Sequence, residues 1–419
     1  IPENGLGVFV PEERKLGLFM DDISVLICDD SALMRNLISR IIAETPGLSV
    51  SGKAMNGQFA LDKIPVLHPD ILILDIEMPV MSGVEFLHER KIRHWDIPVI
   101  ILSSIATKGA AVTMQCLELG ASDFITKPNG SVSSDLSSVS EQLIEMISSY
   151  GGAYARIHGK NPYTPDFFMH QAKMRQAELF VAKQKGGSPE AVVPKTAADK
   201  TELHPALWNT PEKKEPAVIE PLRDGGPIKL IALGISTGGP NALREIFKLI
   251  DPHLKQPILV VQHMPAGFTS EFANSLNRIC PLTVTEAKDG DKIEDAHIYI
   301  APGDYHIFVE RSVMGPVIRL SHGAARNGHR PSADVLFESV AKEYKNDALG
   351  VIMTGMGRDG AAELAEMRRQ GAWTLGQDQK SSIVYGMPKV AWELGGVQKQ
   401  VSLDAMADEI SALARTHSF

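Results

Sequence analysis

One pattern constrains this chain more than any other: short apolar runs alternate with amphipathic stretches, stop, and then start again. The run Ile23–Cys28 leads into a helical pattern over Ala32–Glu44, a second short strand and another helix, and then Ile71–Leu74 ending at Asp75. Val99–Leu102 and Asp123–Ile125 add strands, and the apolar spacing over Ser134–Ser149 suits a last helix. The alternation resumes near Ile228. Strands are expected at Lys229–Leu233, Ile258–Gln262, Tyr299-Ile300 and Ala348–Thr354, with helices over Asn241–Leu249, Thr269–Ile279, Ser332–Lys345 and Ala361–Gln370. Such alternation folds into parallel α/β layers, because each crossover helix must cover a face of the sheet it returns to. The expectation is therefore two doubly wound parallel-sheet domains, at 23–150 and 227–419. Residues 1–22 are read as an N-terminal extension. Residues 151–226, rich in Pro, Lys, Glu and Gln, are read as a linker with a helical pattern around Phe167–Gln184.

Composition narrows the function classes. A net charge of −9 argues against the basic surface that nucleic-acid binding needs, so no nucleic-acid partner is expected. No apolar run reaches the roughly 18 residues of a membrane span, so no membrane insertion is expected either. The three cysteines, Cys28, Cys116 and Cys280, have no CxxC spacing, and the N-terminus lacks the pattern of a secretion signal. A cytoplasmic location is expected.

In open parallel sheets functional groups gather at the carboxyl ends of the strands. Asp29 and Asp30 follow the first strand, Asp75 ends the third, Ser103 ends the fourth and Lys127 follows the fifth. Three converging carboxylates repel one another unless a hard cation sits among them, so the pocket is expected to bind Mg²⁺. One carboxylate can then attack a phosphoryl group while the cation and Lys127 neutralise the spreading charge. The stretches DDSALMR (Asp29–Arg35), LDIEMP (Leu74–Pro79), SS (Ser103-Ser104) and TKP (Thr126–Pro128) closely resemble the response-regulator receiver family. The resemblance implies a flavodoxin-like fold and makes Asp75 the phospho-acceptor. Asp29, Asp30 and the backbone carbonyl of Glu77 would join it as metal ligands, with Ser103, Lys127 and the aromatic Phe124 as switch residues. Cys28 and Ser82 depart from the family's commoner residues without removing a group the chemistry needs.

In the second half, Gly234-Ile235-Ser236-Thr237-Gly238 places a serine at a glycine-rich strand-to-helix turn. Such a serine can be a nucleophile or a helix N-cap, and such a turn can also hold a dinucleotide phosphate. The dinucleotide reading fails because Ser236 stands where close pyrophosphate approach needs glycine, and the next strand ends in Gln262-His263 rather than an acid. His263 can take the hydroxyl proton near neutral pH, with His306 and His329 as competitors. Asp359, in Gly355-Met356-Gly357-Arg358-Asp359-Gly360, suits either a helix N-cap or the acid that orients His263. Backbone N–H groups of Thr237 and Met356 are the best candidates for an oxyanion hole.

The stretches GISTGGP (Gly234–Pro240), QHMPAGFT (Gln262–Thr269), IAPGDYH (Ile300–His306), HRPSADVLF (His329–Phe337), TGMGRDGA (Thr354–Ala361) and YGMPKVA (Tyr385–Ala391) closely resemble the chemotaxis receptor methylesterase family, CheB. The resemblance implies a Rossmann-like catalytic domain with a Ser236-His263-Asp359 triad and Thr237 and Met356 at the oxyanion hole. It implies hydrolysis of glutamyl methyl esters and deamidation of glutamines on methyl-accepting chemoreceptors, a chemotaxis histidine kinase as phosphodonor, and no cofactor for the hydrolysis. Arg358 stands where the family often has Asn. Two alternatives stay open: a receiver-gated esterase or deamidase with another target, and a phosphorylation-dependent adaptor whose esterase half is inert.

Overall fold

The computed structural model describes residues 20–104, 107–127, 133–171, 174, 215–313 and 315–418. In the first domain, strands β1 (Ile23–Cys28), β2 (Leu48–Ala54), β3 (Ile71–Asp75), β4 (Val99–Ser103) and β5 (Asp123–Thr126) form a parallel sheet of order β2-β1-β3-β4-β5. β1, β3 and β4 are buried almost throughout, which is why their sequences are continuous apolar runs rather than alternations. Helices α1 (Ala32–Ala43), α2 (Gly57–Leu67), α3 (Gly83–Ile92), α4 (Thr107–Glu118) and α5 (Ser133–Met146) cover the sheet. Local chemistry fixes their starts. Ser31 and Asn56 cap α1 and α2, and Ser82 with Glu85 forms a capping box on α3.

The expected linker, 151–226, is corrected at both ends. α5 does not stop; it passes through a π-helical turn, Ile147–Gly151, into α6 (Gly152–Ile157). The turn presses its backbone on the sheet: a Cβ on Gly151 would lie 2.8 Å from Ile23 Cγ2. Beyond it Tyr163, Phe167 and Phe168 pack into the core formed by β1, β3 and α1. The polar composition of the segment hid these three aromatics. At the other end, residues 217–226 lie along the second domain, with Ala217 N–H donating to Glu393 O and Leu222 N–H to Arg369 O. Of the helix expected near Phe167–Gln184, residues 172–173 and 175–184 fall outside the described residues, as do residues 1–19 of the expected N-terminal extension. Asp21 in that extension pairs with the chain at Asn161 and Pro162.

The second domain has a seven-stranded parallel sheet. Its strands are β6 (Leu230–Ile235), β7 (Ile258–Gln262), β8 (Thr283–Glu286), β9 (His297–Ile300), β12 (Ala348–Ile352), β13 (Trp373–Gln377) and β14 (Lys399–Val401), in the order β14-β13-β12-β6-β7-β9-β8. An antiparallel hairpin, β10 (His306–Ser312) with β11 (Gly315–Ser321), lies outside that sheet. The helices are α7 (Gly239–Leu249), α8 (Thr269–Asn277), α9 (Ala333–Glu343), α10 (Ala361–Arg369), α11 (Met387–Glu393) and α12 (Leu403–Thr416). The chain begins this sheet at its centre, with β6. It then builds outward through β7 on one side and β12 on the other, so the switch in direction opens a crevice at the carboxyl end of β6. No helix among the described residues is long and apolar enough to cross a membrane.

Candidate active site

Three neighbouring strands, β12, β6 and β7, each deliver one functional side chain to that crevice. Ser236 follows β6 directly. Its side chain does not cap α7; the cap position is Gly238, in the left-handed region at φ +82°, and Ser236 Oγ instead lies 3.0 Å from His263 Nδ1. A side chain at residue 238 would be strained by that φ and would meet Ile383 Cγ1 at 2.9 Å. His263, just past β7, turns its other nitrogen to Asp359, Nε2 to Oδ2 at 2.8 Å. Asp359 does not cap α10 either, since left-handed Gly360 holds that position. Gly355 lets the Asp359 loop close on Ser236, because a Cβ there would sit 2.6 Å from Ser236 Cβ.

The Asp359 carboxylate is held firmly in place because its lone pairs are filled. Ser332 Oγ donates to Oδ1 at 2.6 Å, Asn327 Nδ2 to Oδ1 at 2.9 Å and Ala333 N–H to Oδ2 at 2.6 Å. Burial alone would raise its pKa, but His263, Ser332 and Asn327 together hold it far below the ordinary carboxylate range. His329 lies flat on His263, with ring centroids 3.8 Å apart and planes 8° from parallel. Burial, then the neighbouring His263, push the His329 pKa down to about 4, so it stays neutral and adds no charge beside the imidazole. Of the competing histidines, His306 donates to or accepts from none of the triad; its Nε2 pairs with Ala324 O.

Thr237 and Met356 line the same cleft as Ser236 and His263. The first domain closes over it. Thr237 Oγ1 donates to Glu145 Oε1 at 2.8 Å, and Gly238 N–H donates to Asp123 Oδ2 at 3.0 Å. Asn241 Nδ2 donates to the carbonyls of Ala121 and Ser122, and Phe124 stacks on Phe268 with centroids 4.9 Å apart. Glu118 pairs with Arg278 at 2.6 Å and with Arg244 at 3.6 Å. Glu145 and Asp123 carried no sequence signal, because their partners lie 92 and 115 residues away. Asn327 and Ser332 were equally hidden as supports of Asp359, although Ser332 lies in one of the motifs quoted above.

At the carboxyl end of the first sheet, Asp29, Asp30 and Asp75 bring carboxylate oxygens within 4.8 Å of one another, with Asp30 exposed. Lys127 Nζ reaches both Asp75 Oδ2, at 2.7 Å, and Asp29 Oδ2, at 3.0 Å. Burial raises the Asp75 pKa against the pull of Lys127. This hard-oxygen donor set, open to solvent at one corner, fits Mg²⁺. Glu77 is exposed and its carboxylate is not part of the cluster. Ser103 is buried, 2.7 Å from Thr113 Oγ1. Phe124 is not in the acidic pocket; it faces the second domain.

The family model of the response regulator receiver domain matches residues 25–133, and that of the CheB methylesterase matches residues 231–410. The protein-glutamate methylesterase/protein-glutamine glutaminase of Treponema denticola is 52% identical over 94% of this chain and 98% of its own. The chain belongs to the CheB methylesterase family. The Treponema pallidum member is 49% identical over 93% of this chain and 97% of its own. The crystal structure of the Thermotoga maritima CheB methylesterase catalytic domain matches 44% of this chain and 98% of that one at 33% identity, with a TM-score of 0.44. As a CheB methylesterase the chain is a hydrolase joined to a receiver domain, with two parallel-sheet α/β domains.

Proposed function

We propose that Ser236, His263 and Asp359 hydrolyse glutamyl methyl esters, and deamidate selected glutamines, on methyl-accepting chemoreceptors. The observation that carries this reading is the continuous chain of hydrogen bonds from Ser236 Oγ through both nitrogens of His263 to Asp359. Nδ1 of His263 takes the Ser236 proton as Oγ attacks the ester carbonyl, and Asp359 stabilises the imidazolium through Nε2–H. The N–H groups of Thr237 and Met356 receive the oxyanion. Collapse of the tetrahedral intermediate breaks the C–OCH₃ bond, and His263 returns its proton to the leaving methanol. Water, deprotonated by His263, then splits the Ser236 ester and leaves a glutamate. With a glutamine the leaving group is ammonia.

Asp75 is the proposed phospho-acceptor, with a chemotaxis histidine kinase as donor. Asp29, Asp30, Asp75 and the carbonyl of Glu77 would hold Mg²⁺, which supplies charge neutralisation for phosphoryl transfer when bound. Lys127 and Ser103 would take the phosphoryl oxygens. Phe124 then couples the pocket to the second domain, since its stack on Phe268 is part of the contact that covers the cleft. Work in the cytoplasm fits three free cysteines. An inert adaptor is disfavoured by the hydrogen bonds that Ser332, Asn327 and Ala333 invest in Asp359. The test is methanol release from membranes carrying methylated chemoreceptors: Ser236→Ala is expected to abolish it while Asp75 still accepts phosphate, and retained turnover would remove Ser236 as nucleophile.

A further inference from the structure

The receiver surface over the cleft is not an inert cover. Helix α5 carries Glu141 and, one turn later, Glu145 into the cleft that also holds Ser236, Thr237 and His263. Glu145 accepts the hydroxyl proton of Thr237, the residue next to the nucleophile. A substrate glutamyl side chain must bring its carbonyl carbon to Ser236 and its oxygens to donors of this same turn. A helix bearing a glutamate therefore already lies where the enzyme's product, a glutamate, is formed.

We propose that Glu145 is a built-in product mimic, whose carboxyl group occupies through the Thr237 hydroxyl the subsite that orients the reacting glutamyl group of the substrate. The inference rests on the glutamyl-esterase reading given above, and it adds a substrate-orienting role for the Thr237 side chain. Two observations favour mimicry over simple obstruction. Ionic contacts that could hold the domains together, Glu118 with Arg244 and Arg278, already exist outside the residues that line this cleft. Placing a carboxyl group in the covered cleft instead of a hydrocarbon adds a desolvation cost that a mere plug would avoid. Burial, offset in part by the Thr237 hydrogen bond, pushes the Glu145 pKa up to about 7. Near neutral pH much of the group is thus the uncharged acid, which matches an ester or an amide in shape and charge more closely than a carboxylate does.

A product mimic competes with substrate, so it raises the apparent KM of the unphosphorylated chain and leaves kcat alone. The test is steady-state methanol release by the full-length, unphosphorylated chain with methylated receptor membranes at varied concentration. Glu145→Leu keeps the bulk but cannot accept from Thr237. It is expected to lower the apparent KM by about fivefold, the scale of one hydrogen bond between uncharged groups, with kcat unchanged. Glu145→Gln keeps an acceptor oxygen and resembles the glutamine substrate, so its KM is expected to stay within about twofold of the original. Glu145→Ala serves as a second removal of the acceptor if Glu145→Leu does not fold. The proposal is overturned if Leu and Ala leave KM at the wild-type value, or if Gln lowers it as far as Leu does. Absence of methanol release from the wild-type chain would instead defeat the esterase reading itself, and the two failures are read separately in the same assay.

Discussion

The three proposed catalytic residues, Ser236, His263 and Asp359, differ in how tightly the fold holds them. Ser236 is fixed by the left-handed turn at Gly238 and by its N–H, which donates to Thr354 O. Asp359 is fixed by four donors besides His263, from Asn327, Ser332 and the N–H groups of Ala333 and Asp334. His263 has neither kind of anchor on its ring apart from its two triad partners and the flat face of His329. Removing the charge of the acid is therefore expected to cost more than orientation. Asp359→Asn should lower kcat by about 10⁴-fold, because the amide favours the wrong imidazole tautomer and cannot stabilise the imidazolium. Its KM for methylated receptor should change little; a kcat within about tenfold of the original would deny Asp359 its part. At this scale the sequence was informative for a definite reason. Each triad residue lies on the loop that follows an apolar run, and such loops converge at one end of a parallel sheet. The ring orientation that turns Nδ1 to Ser236, and the stack of His329, depend on side-chain packing between loops and left no mark in spacing or composition.

Two elements of the receiver, β5 and α5, carry the contacts made directly to Thr237 and Gly238, beside Ser236. Asp123 at the start of β5 titrates near 6 and Glu145 on α5 near 7, both pushed up by burial and pulled down by their hydrogen bonds to Gly238 and Thr237. Tyr150 also donates to Asp123, at 3.1 Å. When the domains part, each carboxyl returns to the ordinary range near about 4, so the closed arrangement takes up protons. The sign follows: raised carboxyl pKa values favour closure most below about pH 4, and the advantage is lost as pH rises through 6 and 7. Basal turnover of the unphosphorylated chain, divided by that of Asp123→Asn/Glu145→Gln to cancel the titration of the triad, is expected to rise from about pH 6 to about pH 8. A flat ratio would mean that these carboxyls do not titrate on opening. The strands and most helices were legible because burial on both faces leaves apolar runs. The π-helical turn at Ile147–Gly151 and the packed aromatics Tyr163, Phe167 and Phe168 were not, since the polar residues between them read as linker.

The whole molecule joins an acidic pocket at the carboxyl end of one sheet to the Ser236-His263-Asp359 crevice at the carboxyl end of another. The joint lay beyond sequence reasoning, because Asp123 with Gly238 and Glu118 with Arg278 are complementary only in three dimensions. On this account the first site acts on the second through β5 and α5. Asp75→Asn is expected to abolish stimulation by a small phosphodonor and to leave basal turnover intact. Chelating divalent cations is expected to do the same, because the proposal gives the Asp29, Asp30 and Asp75 cluster to phosphoryl transfer and not to hydrolysis. Stimulation that survives either change would separate the pocket from the gate.

The central claim is that Ser236 reacts as a triad serine and that the receiver controls access to it. The direct measurement is the rate at which a fluorophosphonate labels the full-length chain, with the labelled residue located by peptide mass spectrometry, before and after a small phosphodonor and Mg²⁺ are added. The account predicts labelling at Ser236, slow before and faster after phosphorylation of Asp75. Labelling at another residue, or a rate that phosphorylation leaves unchanged, would contradict it.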